Sequence, residues 1–241
     1  MGVGRHALIP QNIGESMTDL VKRAERFARV CHFGQFRKGT AKEPYTIHLE
    51  EVSSLVEKWG GSEEAIAAAW LHDTIEDCPP TSYEDLVKLF GKQTADLVAE
   101  LTDDKSLPKQ IRKDLQIENA PKKSPEAALI KLADKSSNVG ALANSPPADW
   151  SLERRLEYVK WATTVVEALP KVSKEGMNLF LTRCDQAELQ AYLDLGTTRM
   201  AENAVFRILE RKTLRCGGTQ QQSDDLLKSI MANTLVPQRK E

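Results

Sequence analysis

The chain has 241 residues, a formal net charge of −2, 28% charged residues and 41% hydrophobic residues. This balance is typical of a folded globular protein and excludes an intrinsically disordered chain. The near-neutral charge also excludes a global basic field that would hold nucleic acid. An anionic ligand would therefore need a local cluster of cations.

Four cysteines, Cys31, Cys78, Cys184 and Cys216, stand far apart, without the spacing of a zinc site or a CxxC motif. We interpret them as free thiols, because a chain of this length needs no disulfides. No stretch is as apolar as a membrane span or a signal peptide. The sequence therefore predicts a cytoplasmic protein without membrane contact.

The elements predicted in chain order are helical. Apolar residues recur at helical spacing over residues 17–36, a loop follows over 37–45, and a second helix begins near Thr46. Ser62 is expected to cap a third helix, which is apolar on nearly every side and therefore buried. The later predicted helices begin after a cap at Thr81 or Ser82 and include residues 92–102, 109–118, 124–140, 151–168, 173–193 and 197–214.

No stretch shows the alternation of a strand, so the predicted fold class is all-α, an orthogonal helical bundle with a C-terminal helical extension. Pro170 marks the predicted boundary between the two. The predicted segments are an N-terminal tail (1–16), a helical domain (17–170), a helical extension (171–216) and a flexible tail (217–241). The extension could pack back on the bundle, close a site or form a dimer, and the sequence does not decide.

The strongest chemical pattern runs from His72 to Asp77, at the end of the apolar third helix. Imidazole and carboxylate are ligands that divalent manganese, iron or zinc accept. If the helix continues, His72 and Glu76 share one face, as do Asp73 and Asp77. These groups would be costly to bury without a purpose. The alternative is a solvated, acidic helix end.

Two further elements carry residues of the same chemical type. His48 starts the second predicted helix, where a lone histidine is more often a cap or a core hydrogen-bonding group than a ligand. Asp134 and Asn138 lie four residues apart on a helix whose earlier turns are apolar. An inward-facing aspartate needs a partner, which is either a metal or a salt bridge to Lys131 or Lys135.

The runs RKGTAKEPYTIH, AAAWLHDTIED, ELTDDKSLPKQIRK and IKLADKSSN follow one another within residues 17–168. Together they resemble the hydrolase domain of RelA/SpoT enzymes, and above all the Mesh-type small alarmone hydrolases. The resemblance implies an all-α HD-domain bundle that binds one Mn²⁺ ion. It also implies removal of pyrophosphate from the 3′ position of a guanosine alarmone such as ppGpp, with no synthetase domain in the remaining residues.

The resemblance implies a role for individual residues. The implied metal ligands are His48, His72, Asp73 and Asp134. The implied pair that handles the attacking water is Glu76 and Asp77. The implied substrate contacts are Arg37, Lys38, Lys109, Asn138, Arg154 and Tyr158. His32 matches no ligand position and is expected near the site, and His6 is expected to lie in the tail.

The chain departs from the family pattern in places that bear on base specificity. Leu49 stands where the family often has a proline, and the run VGALANS after Asn138 is unusually small. Alternative substrates are ppApp, the 2′-phosphate of NADPH and pyrophosphorylated RNA. Another alternative is an antitoxin role against a toxic synthetase through the extension, which could also form a homodimer. Stable nucleic-acid binding is not expected.

Overall fold

A computed structural model of the chain describes residues 17–194, together with Val205, Ile208, Arg211, Thr219 and Gln221. This part of the chain is helical, and its only β pairing is one isolated bridge. The prediction of an all-α fold is confirmed. The α-helices are α1 (Met17–Cys31), α2 (Tyr45–Lys58), α3 (Glu63–Leu71), α4 (Thr74–Asp77), α5 (Tyr83–Phe90), α6 (Lys92–Leu101), α7 (Lys109–Asn119), α8 (Pro125–Asn144), α9 (Leu152–Ala168) and α10 (Lys174–Asp194).

Helix α3 lies at the centre of the first core and packs against α1, α2, α6 and α8. The side chain of Ser62 accepts a hydrogen bond from Ala65 N at 3.1 Å, which confirms the predicted cap. Every residue from Ala65 to Leu71 is buried, as its apolar composition predicts. Truncation of Leu71, which is fully buried, to alanine would cost about 2–5 kcal/mol of folding stability.

The structure shortens the first predicted helix and decides the cap of α5. Helix α1 ends at Cys31 instead of residue 36, because Gly34 adopts a φ of 76° that a right-handed helix does not allow. Of the two caps considered for α5, Ser82 fills the position and forms a capping box with Asp85. The loop predicted over residues 37–45 lies between α1 and α2, but it ends at Pro44, because α2 already begins at Tyr45.

A second core lies between α8, α9 and α10. Helix α10 makes its most extensive packing against α8, where Phe180 is fully buried. Gly176 permits this approach, since a Cβ there would lie 2.8 Å from Leu132 Cδ2. The sequence left three alternatives for the extension, and residues 174–194 follow the first of them, because they pack against the bundle. The domain boundary at residue 170 stays a prediction.

The predicted tails over residues 1–16 and 217–241 and most of the predicted helix over 197–214 lie outside the described residues. Within that predicted helix, Val205, Ile208 and Arg211 are helical. In the part of the chain that the structure describes, no helix has the length and apolar character needed to span a membrane.

Candidate active site

Four polar residues from separate elements meet between α2, α3 and α8. His48 comes from α2, His72 follows the last residue of α3, Asp73 precedes α4, and Asp134 lies on α8. The His48 Nε2 atom is 3.5 Å from Asp134 Oδ1 and 3.8 Å from Asp73 Oδ2, and His72 Nε2 is 4.0 Å from Asp134 Oδ1. The structure therefore brings all four predicted metal ligands into one cluster, in which His48, His72 and Asp134 are buried and Asp73 is partly exposed.

The spacing and chemistry of this cluster fit a divalent cation. Bonds of about 2.1 Å to one ion would place neighbouring donor atoms roughly 3–4 Å apart. One donor atom each from His48, His72 and Asp134 lies within 4.8 Å of the other two. The His72 Nε2 atom is buried and has no hydrogen-bond partner, although Asp73 Oδ2 lies 3.0 Å away. Since an unpaired buried nitrogen is costly, this atom is available for a metal.

Both imidazoles are held through the nitrogen that points away from the cluster. His72 Nδ1 lies 2.8 Å from the carbonyl oxygen of Ala69. A carbonyl can only accept, so His72 carries a proton on Nδ1, and the neutral ring has its lone pair on Nε2. His48 Nδ1 lies 2.9 Å from Ser137 Oγ, which leaves His48 Nε2 facing the cluster. Partners of this kind orient histidine ligands in metal sites.

The two aspartates are also fixed by neighbours. Tyr45 donates its hydroxyl hydrogen to Asp73 Oδ2 at 2.5 Å. Asn138 donates from Nδ2 to Asp134 Oδ1, also at 2.5 Å. Because each carboxylate has a short, charge-assisted hydrogen bond, its oxygens cannot turn freely away from the histidines.

The salt bridge that the sequence left open for Asp134 is present together with the cluster. Asp134 Oδ2 lies 3.3 Å from Lys135 Nζ and 3.7 Å from Lys131 Nζ. The other oxygen, Oδ1, faces the histidines. Both lysines are buried, so their charges help to keep Asp134 ionised. The two interpretations of Asp134 are therefore compatible, one for each oxygen.

Burial and charge set the protonation of the cluster. Burial lowers the pKa of His48 to about 4, which keeps its imidazole neutral. Burial also acts to lower the pKa of His72, but the Asp73 carboxylate outweighs it and raises that pKa to about 9. Burial opposes ionisation of Asp134, yet the lysine and histidine charges hold its pKa well below the usual range. The cluster thus has an excess of negative charge once both imidazoles are neutral.

The HD segment does not form one continuous helix. His72 and Asp73 lie in a turn between α3 and α4. The condition under which His72 and Glu76 would share a helix face is therefore not met. The break is useful for the site, because adjacent residues on one helix diverge by about 100°. The turn instead brings His72 Nε2 within 3.0 Å of Asp73 Oδ2.

Glu76 and Asp77, on α4, differ in their surroundings. Glu76 is mostly buried and accepts a hydrogen bond from Asp103 N at 2.6 Å through Oε1. Burial raises the pKa of its carboxyl group, and the charge of Asp73 acts in the same direction. Asp77 is more exposed and pairs with Lys105, whose Nζ also lies 3.8 Å from Glu76 Oε2. Glu76 is therefore the more desolvated of the two predicted water-handling carboxylates.

A cavity of about 950 Å³ contains all of the predicted substrate contacts. Those lining residues are Arg37, Lys38, Lys109, Asn138, Arg154 and Tyr158. Tyr45 and Asn138 line it as well as touching the cluster, so the cavity adjoins the metal residues. Partial burial, with the nearby charges of Arg154 and Lys38, lowers the pKa of Lys109. This crowding of cations favours an anionic occupant.

One wall of the cavity is aromatic. Tyr158 lies between Trp150 and Trp161, with ring centroids 5.5 and 5.4 Å away. Arg154 stacks over Trp150, with its guanidinium carbon 4.5 Å from the ring centroid. Lys113 Nζ lies 4.8 Å from the centroid of Trp161. Flat apolar faces and cations together suit a ligand that combines a heteroaromatic ring with phosphates.

Comparison with known proteins agrees with this geometry. The family described as HD domain matches residues 24–163. The MESH1 guanosine-3′,5′-bis(diphosphate) 3′-pyrophosphohydrolase of Drosophila melanogaster is 47% identical over 146 residues, which cover 60% of this chain and 81% of that protein. The protein of the same name from Homo sapiens is 39% identical and covers 68% of this chain and 91% of its own length. The chain belongs to the HD-domain family, in its Mesh-type group.

A solved structure described as "A metazoan ortholog of SpoT hydrolyzes ppGpp and plays a role in starvation responses" superposes with a TM-score of 0.66 and 39% identity. It covers 75% of this chain and 98% of that chain. The HD-domain match includes α2 to α8 in full, with all four cluster residues, and ends before α10. The HD-domain bundle predicted from the sequence motifs is therefore confirmed.

Several residues of this Mesh-type site were not singled out by the sequence. Tyr45 and Ser137 lie inside quoted motifs but carry no chemistry that spacing alone reveals. Helical spacing could have indicated Trp161, because it lies three residues after Tyr158 and shares its helix face. Trp150 precedes α9, so helical spacing could not have found it.

His32 lies beside the site as expected, and it is not among the residues of the metal cluster. The His32 ring stacks on Tyr45 with centroids 5.0 Å apart, and its Nδ1 lies 2.8 Å from Gln35 Oε1. It therefore packs behind the tyrosine that holds Asp73. His6 lies outside the described residues.

Proposed function

We propose that this Mesh-type protein is a metal-dependent 3′-pyrophosphohydrolase of guanosine alarmones, converting ppGpp to GDP and pyrophosphate, with Mn²⁺ as the native metal. One observation carries the proposal. A largely buried cluster of two imidazoles and two carboxylates adjoins a cavity with cationic and aromatic walls. The names of the relatives support the substrate, since they are guanosine-3′,5′-bis(diphosphate) 3′-pyrophosphohydrolases.

The residues that would hold the ion are His48, His72, Asp73 and Asp134. A divalent ion bound there supplies Lewis-acid chemistry, polarising a phosphoryl oxygen and lowering the pKa of water. Nitrogen and oxygen donors of this kind suit Mn²⁺, and they also suit Fe²⁺ and Zn²⁺. The test of the metal therefore compares these ions.

Glu76 is proposed to accept the proton of the attacking water, and Asp77 to orient that water. The Asp103 N–H holds Glu76 Oε1 in place, and burial favours proton uptake by this carboxyl group. The water oxygen bonds to the phosphorus, the bond from phosphorus to the ribose 3′ oxygen breaks, and that oxygen leaves with a proton. Pyrophosphate and a 3′-hydroxyl nucleotide result.

The cavity residues are proposed to bind the nucleotide. Lys38, Lys109 and Arg154 line the cavity as a group of cations and would attract its phosphates. Arg37 and Asn138 are bonded to each other at 3.4 Å and stand next to the cluster residues. They would contact the nucleoside where it meets the ion, and Tyr158 would offer a flat face to the base.

The remaining expectations become proposals of the same kind. We propose a reducing, cytosolic location, which is supported by the free thiols of Cys31 and Cys78. We also propose the segment limits 1–16, 17–170, 171–216 and 217–241. A homodimer or protein contact is proposed for the extension, residues 171–216, where Leu193 is half exposed. Light scattering of the full chain tests the oligomeric state.

The deciding experiment is a substrate panel with chelator-treated protein reloaded with Mn²⁺, Fe²⁺ or Zn²⁺. The panel holds ppGpp, ppApp, NADPH and pyrophosphorylated RNA at equal concentration, with products separated by ion-exchange chromatography. We expect the fastest turnover for ppGpp with Mn²⁺, giving GDP and pyrophosphate. Equal or faster turnover of another member would displace the guanosine assignment. No turnover of any member would favour a binding or antitoxin role.

A further inference from the structure

A chain of short hydrogen bonds connects α10 with the metal cluster. Arg183, on α10, donates from Nη2 to Glu51 Oε1 at 2.6 Å. The other carboxylate oxygen, Glu51 Oε2, accepts from Ser137 Oγ at 2.5 Å. Ser137 Oγ lies 2.9 Å from Nδ1 of His48. Three contacts therefore join a helix beyond the matched HD-domain residues to one of the histidines of the cluster.

The direction of each hydrogen bond follows from the groups involved. A carboxylate only accepts, and a serine hydroxyl has one hydrogen to donate. Since Ser137 gives that hydrogen to Glu51, it must accept from His48 Nδ1–H. The lone pair of His48 is thereby placed on Nε2, the atom that faces Asp134 at 3.5 Å. This series of hydrogen bonds thus selects the tautomer that a metal ligand requires.

Glu51 lies near two arginine side chains, and Arg183 is the closer of the two. The guanidinium of Arg37 is the other cation near this carboxylate, with Nη1 4.0 Å from Glu51 Oε2. Without Arg183, Glu51 would lose its closest cation and could turn towards Arg37. That turn would remove the acceptor for the Ser137 hydroxyl hydrogen. Ser137 would then be free to donate to His48 and stabilise the wrong tautomer.

A glycine in α8 provides the space for the Arg183 side chain to reach Glu51. Gly140 lies inside α8, where glycine costs about 1 kcal/mol of helix stability relative to alanine. A Cβ at this position would lie 3.1 Å from Arg183 Cδ and 3.2 Å from Arg183 Nε. The Arg183 side chain therefore passes directly over Gly140 to reach Glu51, with little space to spare.

We propose that Arg183 is a positioning residue for the metal site, acting through Glu51 and Ser137 to fix the tautomer and orientation of His48. The C-terminal helix α10 would then set metal affinity as well as pack the second core. This inference rests on the proposed function in one respect, namely that the buried cluster holds a divalent cation.

The test measures Mn²⁺ affinity by isothermal titration of chelator-treated, full-length protein. Arg183→Met is compared with Arg155→Met, because Arg155 also ties α10 to the body, through Asp194 at 2.5 Å, without touching the cluster. We expect Arg183→Met to weaken the Kd by about 10-fold to 100-fold, as is usual for partners of metal ligands, and Arg155→Met to leave it unchanged. A Kd for Arg183→Met equal to that of the wild type would overturn the proposal.

A double-mutant cycle keeps the test sharp if Arg183→Met folds poorly, in which case Arg183→Lys takes its place. Ser137→Ala removes the hydrogen bond next to His48. Adding the Arg183 change to Ser137→Ala should therefore weaken Mn²⁺ binding no further. A full additional loss in the double variant would show that Arg183 acts by another route. A wild-type protein that binds no Mn²⁺ would overturn both this inference and the proposed function, whereas equal Kd values overturn the inference alone.

Discussion

The metal cluster and the nucleotide cavity adjoin each other, yet they are built in opposite ways. His48, His72 and Asp134 are almost fully buried, and each has a fixed hydrogen-bond partner within the fold. Arg154, on the cavity wall, has a side chain that is 45% exposed. Buried, fully bonded groups hold one geometry, while exposed cations adapt at small cost. We therefore expect substitutions in the cluster to abolish turnover, and substitutions on the exposed cavity wall to weaken substrate binding by small steps.

The largest effect is expected from breaking the cluster itself. His72→Ala removes a buried cluster nitrogen that has no hydrogen-bond partner and that lies 3.0 Å from Asp73 Oδ2. We expect turnover of ppGpp to fall by roughly 10³-fold or more, because water activation by the metal is lost. Metal analysis of the purified variant should show the ion missing. A variant that keeps both metal and rate would remove His72 from the site.

A smaller effect is expected from a substitution of Glu76, which should impair activation of the attacking water without loss of the metal. Glu76→Gln keeps an acceptor for the Asp103 N–H but cannot take up a proton. We expect kcat to fall by about 10²-fold to 10⁴-fold with metal content unchanged. Asp77→Asn is the matched control, since Asp77 is more exposed and paired with Lys105, and it should lose less. Equal losses in the two variants would contradict a special role for Glu76.

The smallest effect is expected on the exposed wall of the cavity. Arg154→Met removes one cation while its long apolar side chain still covers Trp150. We expect KM for ppGpp to rise about 3-fold to 10-fold with kcat unchanged, and the effect to shrink at high salt. Steady-state kinetics at two ionic strengths measures both constants.

Arg37 provides the contrast with Arg154. Its Nη1 donates to Ser137 Oγ at 3.3 Å, so its removal disturbs a partner of His48. Arg37→Met should therefore change kcat as well as KM. Identical behaviour of the two arginine variants would mean that cluster and cavity are not built differently after all.

The sequence predicted the chemistry of the cluster better than the way the chain builds it. Motif resemblance identified His48, His72, Asp73 and Asp134, and the structure brings them together. A continuous helix through His72 was one condition considered, whereas the structure has a turn there. Periodicity cannot detect such a turn, because the residues on both sides are compatible with helix.

Contacts between distant parts of the chain could not be predicted from the sequence. Arg183 and Glu51 lie 132 residues apart, and neither belongs to a recognisable motif. Gly39 is another case, since a Cβ there would lie 2.2 Å from the Ser145 carbonyl oxygen, where the loop over residues 37–45 docks on the end of α8. Only packing decides such close approaches, and packing is not encoded in local spacing.

A count of bound ions tests the proposed metal site most directly. Chelator-treated wild-type protein is dialysed to equilibrium against Mn²⁺, and the metal bound per chain is measured by mass spectrometry beside Asp134→Ala. We expect one ion per chain in the wild type and none in the variant. A folded wild-type protein that binds no ion, or that hydrolyses ppGpp at full rate while metal-free, would contradict the proposed metal site.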